Sequence, residues 1–200
     1  MKGCAVERSV NVTVVYYSST GTIHRLAEEI SETAEKQGAE VRLVRAAELA
    51  PRHAVDSRPA WAAHLRDTED VPVASAGDVL WADAVLFGTP TRFGNVSAQL
   101  KQFIDTLGPA WSGGLLADKV YSAFTSGAST HGGMETTLVS IYNMACHFGG
   151  IIVPPGGDLN PYGTSHVLGA DNAPVGDRAL RAAQLQAERV VRVARALKEV

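Results

Sequence analysis

The sequence predicts an α/β protein built on a doubly wound, five-stranded parallel sheet of order 2-1-3-4-5, with helices on both faces. Short, continuous apolar runs alternate with amphipathic helical patterns, and this alternation is typical of a parallel sheet that is covered on both sides. The chain has 200 residues, of which 46% are hydrophobic, and this suits one domain with a substantial core. We therefore expect an N-terminal tail over residues 1–10 and a single domain over residues 11–200.

The elements are expected in a regular order along the chain. Short runs of β-branched and aromatic residues predict strands at 11–17, 40–44, 84–87, 119–124 and 151–153. Apolar residues that recur every three or four positions predict helices at 23–36, 76–82, 97–107, 134–148 and 177–200. Prolines interrupt residues 46–76, where Trp61 and Leu65 indicate one short helix. The segment 154–176 is rich in Gly and Pro and is expected to be a loop.

The composition argues against several kinds of partner. The formal net charge is −3 and no long basic stretch occurs, so we do not expect nucleic acid as a partner. No apolar run approaches the roughly 20 residues that span a bilayer, and the opening segment is too short and polar for a signal peptide. Cys4 and Cys146 make neither a disulfide framework nor a metal cluster, which suits a reducing cytoplasm.

Three loops dense in Gly, Ser and Thr carry the functional signal. They follow predicted strands one, three and four, and each precedes a helix, over residues 18–24, 88–95 and 125–133. In an open parallel sheet, ligands bind beyond the carboxyl ends of the strands, where the strand order reverses. Any one of these loops could be an ordinary solvated turn, but their convergence at one edge predicts a ligand site.

The first loop has the composition of a phosphate cradle. Gly21 permits a tight turn, the hydroxyl groups can donate hydrogen bonds, and the free N–H groups at the helix start attract an anion. The loop holds no Lys or Arg and lacks the GxxxxGK[ST] signature, so a monophosphate suits it and an ATPase or GTPase is not expected. An ordinary strand-to-helix turn with Ser/Thr caps remains the alternative. The candidate binding residues are Ser18, Ser19, Thr20, Gly21, Thr22 and Ile23.

The other two loops could enclose a flat ring. The second offers backbone N–H groups and the aromatic side chain of Phe93, and the third could line the ring's other side. The candidate residues of the second loop are Pro90, Thr91, Arg92, Phe93, Gly94 and Asn95. Those of the third loop are Ser126, Gly127, Ala128, Ser129, Thr130 and His131.

Several motifs together resemble one family. These motifs are FGTPTRFGN at 87–95, FIDTLG at 103–108 with Trp111 after it, HGGMETT at 131–137 and NPYG at 160–163. With them, the chain resembles the WrbA family of flavodoxin-like NAD(P)H:quinone oxidoreductases from about residue 12 to residue 197. The loop 126–133 is less Gly-rich than in some members, and the segment 156–160 is shorter than in the longer members. Both differences lie beside the expected substrate opening.

The resemblance implies FMN as cofactor and NADH or NADPH as electron donor, in a two-electron ping-pong reduction of a quinone or a similar flat acceptor. It implies that residues 18–23 hold the phosphate. Thr91, Arg92 and Phe93 would contact the isoalloxazine, and residues 126–131 would line its other edge. His147 matches a flavin-contacting histidine that could tune the ring or supply a proton. Trp111 matches a wall of the acceptor space, and Thr20 a contact of the nicotinamide dinucleotide.

Alternatives remain open at the level of sequence. Without the resemblance, His147 is expected to be a core histidine, Cys146 an inert buried thiol and Trp111 a loop-filling residue. A flavodoxin-type electron carrier is one alternative function, although Ile23 stands where such carriers usually have Thr. An NAD(P)H:FMN reductase that supplies reduced flavin to a partner enzyme is another. The resemblance also implies a homotetramer with shared sites. The chain supports this expectation, because Trp61, Trp111 and the segment 154–176 lie in loops that one small sheet would struggle to bury.

Overall fold

The computed structural model describes residues 9–156 and 160–198. The described residues form six strands and eight helices, and two of the helices have only five residues. The strands are β1 (Val10–Tyr16), β2 (Ala39–Arg45), β3 (Ala84–Pro90), β4 (Val120–Gly127), β5 (Ile151–Ile152) and β6 (Thr164–Val167). The helices are α1 (Thr22–Lys36), α2 (Arg52–Asp56), α3 (Pro59–Asp67), α4 (Ala76–Trp81), α5 (Ala98–Asp105), α6 (Gly108–Ser112), α7 (Met134–His147) and α8 (Asp177–Lys198).

The sheet is parallel and follows the order β2-β1-β3-β4-β5, so the predicted fold class and strand order are confirmed. Alternate residues of each strand enter opposite cores because successive side chains of a strand point to opposite faces. In β1, Val12 and Val14 pack with α1 and α8 on one face. Val15 joins α4, α5 and α7 on the other face. The strand already begins at Val10, and the greater part of the expected N-terminal tail lies outside the described residues.

The fifth position of the sheet is divided between two short strands. β5 pairs with Val120 and Tyr121 at the start of β4, whereas β6 pairs with residues 124–127 at its end. β5 is followed by Val153 and then by Pro154 and Pro155, and proline has no N–H group to donate to a strand ladder. The expectation of a loop throughout residues 154–176 is therefore wrong at β6.

A buried glutamine connects the divided strand to the rest of the sheet. Gln186 of α8 is fully buried, and its Nε2 donates to Ser122 Oγ at 2.6 Å and to the Ala123 carbonyl oxygen at 2.8 Å. Its Oε1 accepts from the N–H of Thr164 at 2.9 Å. One side chain thus satisfies polar groups on both β4 and β6, which a buried amide must do to avoid a large desolvation cost.

Two other sequence expectations differ from the structure. The helices α2 and α6 were not predicted, because five residues are too few for a helical period to be recognised. Trp61 lies half-buried in α3, and its Nε1 donates to Glu48 Oε2 at 2.9 Å, so it is not an unburied loop residue. Across residues 9–156 and 160–198, no helix has the length and apolarity to cross a membrane.

Candidate cofactor site

The three predicted loops converge on one cavity of about 280 Å³ at the carboxyl edge of the sheet. A larger open groove of about 790 Å³ lies next to it, between the third loop and the start of α8. We place the site in the smaller cavity because it lies at the topological switch point, where open α/β sheets bind ligands. Its lining residues are Ser18, Ser19, Thr20, Thr22, Ile23, Pro90, Thr91, Arg92, Phe93, Ser126, Gly127, Ala128, Ser129, Gly132 and Leu168.

The phosphate loop (residues 18–23) connects β1 to α1 and leaves the helix start open. Gly21 takes a left-handed φ of 98° as the N-cap, and its N–H donates to Ser18 Oγ at 3.0 Å. Within the described part of the chain, no side chain caps the helix and no acidic residue stands in its first turn. The first N–H groups of a helix have no partner inside it. Those of Thr22 and Ile23 are therefore available to an anion, as the helix dipole favours.

The second loop is a tight hairpin that holds Phe93 in solvent. The backbone N–H and carbonyl groups of Arg92 and Asn95 bond to each other in both directions, at 2.8 and 3.0 Å. Phe93 and Gly94 between them have φ angles of 54° and 74°, as a two-residue type I′ turn requires. A left-handed conformation is costly for a bulky side chain. Phe93 is also fully exposed, so this strained aromatic residue is a sign of a binding function.

The second and third loops are fixed to each other at the start of α7. A Cβ on Gly133, the N-cap of α7 with φ of 81°, would lie 2.7 Å from the Cα of Gly94, so only glycine permits this approach. Beside it, Thr91 Oγ1 and Thr137 Oγ1 lie 2.7 Å apart, and Thr137 Oγ1 also donates to the Gly133 carbonyl oxygen. Sequence reasoning missed Thr137 because it lies inside a helix.

The donor set of this cavity fits FMN. None of its lining residues is acidic, and Arg92 is the one cation among them. The phosphate loop offers N–H and hydroxyl donors for one phosphate group, and the space between Phe93 and the third loop can take a planar ring. At about 280 Å³, the cavity is slightly smaller than the usual range of ligand pockets, about 300–1,000 Å³.

Some predicted site residues lie outside the cavity lining. Gly21, Gly94 and Asn95 are in the backbone of the two loops, and His131 is exposed beside them. Thr130 lines the larger groove. Leu168, which does line the cavity, was missed because it follows the unpredicted strand β6.

His147 and Trp111 lie together, but far from the cavity of their own chain. His147 ends α7, whose start is at the third loop, and 14 helical residues span about 20 Å. Trp111 Nε1 donates to the carbonyl oxygen of His147 at 2.6 Å, and both residues are exposed. Neither is the core or loop-filling residue that the sequence alone suggested, and Cys146 is exposed rather than buried. Trp111 and His147 line a separate cavity of about 250 Å³ with Met144 and Phe148.

Glu48 supports the phosphate loop from the neighbouring strand end. Its carboxylate accepts from Tyr17 Oη, Trp61 Nε1 and Gln99 Nε2 at 2.8–2.9 Å, and from the N–H of Ala50. Burial alone would raise the pKa of Glu48, but these hydrogen bonds together hold it below its usual value. Burial and the bond to Glu48 raise the pKa of Tyr17, which immediately precedes Ser18. The sequence did not predict a role for Glu48, because this residue lies in a segment without a regular pattern.

The doubly wound sheet and the three loops at its switch point define a flavodoxin-like protein with a site for FMN. A protein-family model described as NADPH-dependent FMN reductase matches residues 11–158. This match covers well over half of the chain, which therefore belongs to the NADPH-dependent FMN reductase family.

Similar proteins agree with this assignment. An NAD(P)H dehydrogenase (quinone) of Deinococcus radiodurans is 44% identical over 164 residues, which cover 78% of this chain and 82% of that protein. One of Methylocella silvestris is 38% identical over 202 residues, covering 94% and 98%. The crystal structure of a WrbA-like flavodoxin from Agrobacterium tumefaciens is 29% identical, with a TM-score of 0.67 over 94% of this chain and 99% of that one. The resemblance to the WrbA family is confirmed.

Proposed function

We propose that the protein is an FMN-dependent NAD(P)H:quinone oxidoreductase of the cytoplasm. The observation that carries this proposal is the meeting of an open helix N-terminus with a strained, exposed Phe93 at one cavity. The first suits a phosphate and the second a flat ring. Relatives that align with most of this chain bear the name NAD(P)H dehydrogenase (quinone), which supports the same activity.

FMN, when bound, supplies the two-electron chemistry between NAD(P)H and the acceptor, while the protein binds and orients it. The N–H groups of Thr22 and Ile23 hold the phosphate, and the Phe93 ring packs against the flavin. In the hairpin, the N–H groups of Arg92 and Asn95 are already bonded to each other's carbonyl oxygens. The N–H groups of Phe93 and Gly94 at the tip are therefore the ones that can stabilise negative charge on the reduced ring.

Trp111 and His147 act on the cofactor of a neighbouring subunit in this proposal. The length of α7 keeps both residues away from the cavity of their own chain. Trp111 is 53% exposed and Leu115 nearby is 56% exposed, and exposed aromatic residues are enriched at protein interfaces. Trp111, Leu115 and His147 are here called the patch. A closed homotetramer can bring the patch of one subunit over the hairpin of another. There Trp111 would wall the acceptor space and His147 would hold or donate a proton near the ring.

The function is tested on the purified protein. We expect the visible absorption of bound oxidised flavin, its bleaching by NADH or NADPH, and its return when a quinone is added. Mass spectrometry of the released cofactor should identify FMN, and recovery of FAD would contradict the site assignment. Reduction by NAD(P)H without any partner protein also separates this enzyme from an electron carrier.

One second function is favoured by the family description, namely an NAD(P)H:FMN reductase that releases reduced flavin. The two functions differ in where the flavin stays during turnover. A quinone reductase retains its flavin, so extensive dialysis during NADH turnover should leave the rate of quinone reduction unchanged. A flavin-releasing enzyme would instead require free FMN in the assay.

A charge placed in the phosphate loop should abolish cofactor retention. Thr22→Asp puts a carboxylate where the phosphate binds, and two like charges about 4 Å apart repel strongly enough to weaken FMN binding about a hundredfold. Thr22→Asn has nearly the same shape without the charge and is the matched control. Flavin occupancy after purification and the Kd from flavin fluorescence are the measurements. Equal occupancy in the two variants would show that the phosphate binds elsewhere.

A further inference from the structure

A column of three rings lies directly behind the phosphate loop. The rings of Tyr16 and His24 have centroids 5.2 Å apart, and those of His24 and His64 lie 5.5 Å apart. At the loop end of the column, His64 Nδ1 lies 3.7 Å from the position that a Cβ on Gly21 would occupy. His64 therefore lies against the phosphate loop, with His24 next to it, and neither residue of this histidine pair lines the cofactor cavity.

The histidine pair has unused hydrogen-bonding capacity. Among the described residues, Tyr16 Oη and His24 Nδ1 are buried without a partner. His24 Nε2 lies 3.2 Å from Glu28 Oε1, so a neutral ring that donates there has an acceptor at Nδ1. His64 adjoins a space of only about 10 Å³, which Ser18 of the phosphate loop also lines. Buried polar atoms without partners are rare, so these two atoms call for an explanation.

Burial lowers the pKa of both histidines of the pair, and nearby charges add smaller effects. Burial lowers the pKa of His64 to about 4, helped by His24 and by Arg45 of β2, while Asp67 on its own helix acts in the opposite direction. Burial lowers the pKa of His24 as well. The charge of Glu28 opposes this effect, and the charge of Arg25 adds to it.

We propose that the histidine pair is a proton-accepting layer behind the phosphate loop, so that binding of the FMN phosphate is coupled to protonation of His64. This inference rests on the proposed function, because it takes FMN as the ligand. A phosphate dianion bound at the phosphate loop favours a positive charge at His64, which lies against Gly21 of that loop. By reciprocity, a protonated His64 strengthens phosphate binding by the same factor. The cavity lining supplies no cation at this loop, since Arg92 lies on the hairpin.

The sign of the pH dependence follows from this coupling. FMN raises the pKa of His64, so the FMN complex takes up a proton that the free protein does not hold between pH 6.5 and 4. The wild type must therefore gain affinity over a His64→Gln variant as the pH falls through this window, and the two must be equal above it. The FMN phosphate itself gains a proton in the same range. For that reason the ratio of the two Kd values is the informative quantity.

The experiment titrates the full-length apoprotein with FMN and follows the quenching of flavin fluorescence at pH 7.5 and pH 5.0. We expect the Kd ratio of His64→Gln to wild type to be near one at pH 7.5 and about tenfold at pH 5.0. Riboflavin, which lacks the phosphate, should give a ratio near one at both values. The matched control His53→Gln changes an exposed histidine of the adjacent α2 and should behave as the wild type.

The possible negative results distinguish a failure of the coupling from a failure of the proposed function. A ratio that does not change with pH overturns the coupling, and so does a change that riboflavin reproduces, because the histidine would then act on the loop and not on the phosphate. An absence of FMN binding at both pH values would overturn the proposed function itself. Should His64→Gln fold poorly, NMR titration of the His64 ring in the wild type decides the matter. Its pKa must rise when FMN is added, and an unchanged pKa overturns the proposal.

Discussion

At the scale of single residues, Phe93 has two features that are unfavourable in the protein without a ligand. Its backbone is left-handed, and its ring is fully exposed to water. A left-handed conformation costs a residue with a side chain about 1 kcal/mol or more relative to glycine. Neither cost is recovered inside the free chain. Both are recovered if the ring packs against a flavin, so the hairpin is built for the bound state.

Two substitutions at this position should separate stability from binding. Phe93→Gly removes the ring and the strain, whereas Phe93→Ala removes the ring alone. We expect both variants to bind FMN more weakly, and we expect the glycine variant to be more stable than the alanine variant by about 1 kcal/mol. Chemical denaturation of the apoproteins measures the difference. If the alanine variant were the more stable of the two, the left-handed conformation would not be the one adopted in solution.

The same scale gives a prediction about acid stability. Because burial holds the pKa of His64 near 4, the folded chain binds fewer protons than the unfolded chain between pH 6.5 and pH 4. The contribution of neutral His64 to stability is therefore complete above pH 6.5 and is lost as the pH falls toward 4. His64→Gln should flatten the decline of Tm over this window in the apoprotein, whereas His53→Gln should not. An unchanged decline in the His64 variant would show that this ring is not buried in solution.

At the scale of elements, long periodic segments were predictable and short ones were not. The runs of β1, β3 and β4 and the stripes of α1 and α8 each repeat often enough to identify the element. The strand β6 has only four residues and contains polar Thr, Ser and His, so no pattern distinguishes it from a loop. The three loops of the site were found because their composition is unusual. His64 and Glu48 were not, since they reach the site through tertiary packing alone.

Gln186 is the buried contact on which the divided fifth strand depends. Gln186→Leu has a similar volume but leaves the N–H of Thr164 and the Ser122 hydroxyl with fewer partners in the core. Each unsatisfied buried group costs about 1–3 kcal/mol, so we expect a loss of about 2 kcal/mol or more. The control Arg192→Leu, at an exposed position of the same helix, should lose less than about 1 kcal/mol. Equal losses in urea unfolding would place the effect in the helix rather than in the connection to β6.

At the scale of the whole molecule, the separation of Trp111 and His147 from the cavity of their own chain predicts complementation between subunits. A subunit with Thr22→Asp lacks a cofactor cradle, and a subunit with Trp111→Ala and His147→Ala lacks the patch. Neither should reduce quinone well alone. Random mixing in one tetramer restores intact pairs at about a quarter of the sites, so activity should recover on mixing and be lost on dilution.

Analytical ultracentrifugation at the assay concentration accompanies this measurement. Activity that never exceeds the average of the two separate variants would contradict the shared site. A monomer with full activity would contradict the assembly as well, while the assignment of FMN to the phosphate loop would stand.

The helix α7 has a consequence for how such a protein can change over evolutionary time. It begins at Gly133, beside the cavity of its own subunit, and ends at His147, in the patch proposed to serve another. Inserting one residue would advance its end by about 1.5 Å and turn it by about 100°. His147 would then miss the neighbouring flavin while the cofactor still bound. Under the proposed shared site, a change in the length of α7 should therefore reduce activity more than a change in the length of the segment between β5 and β6.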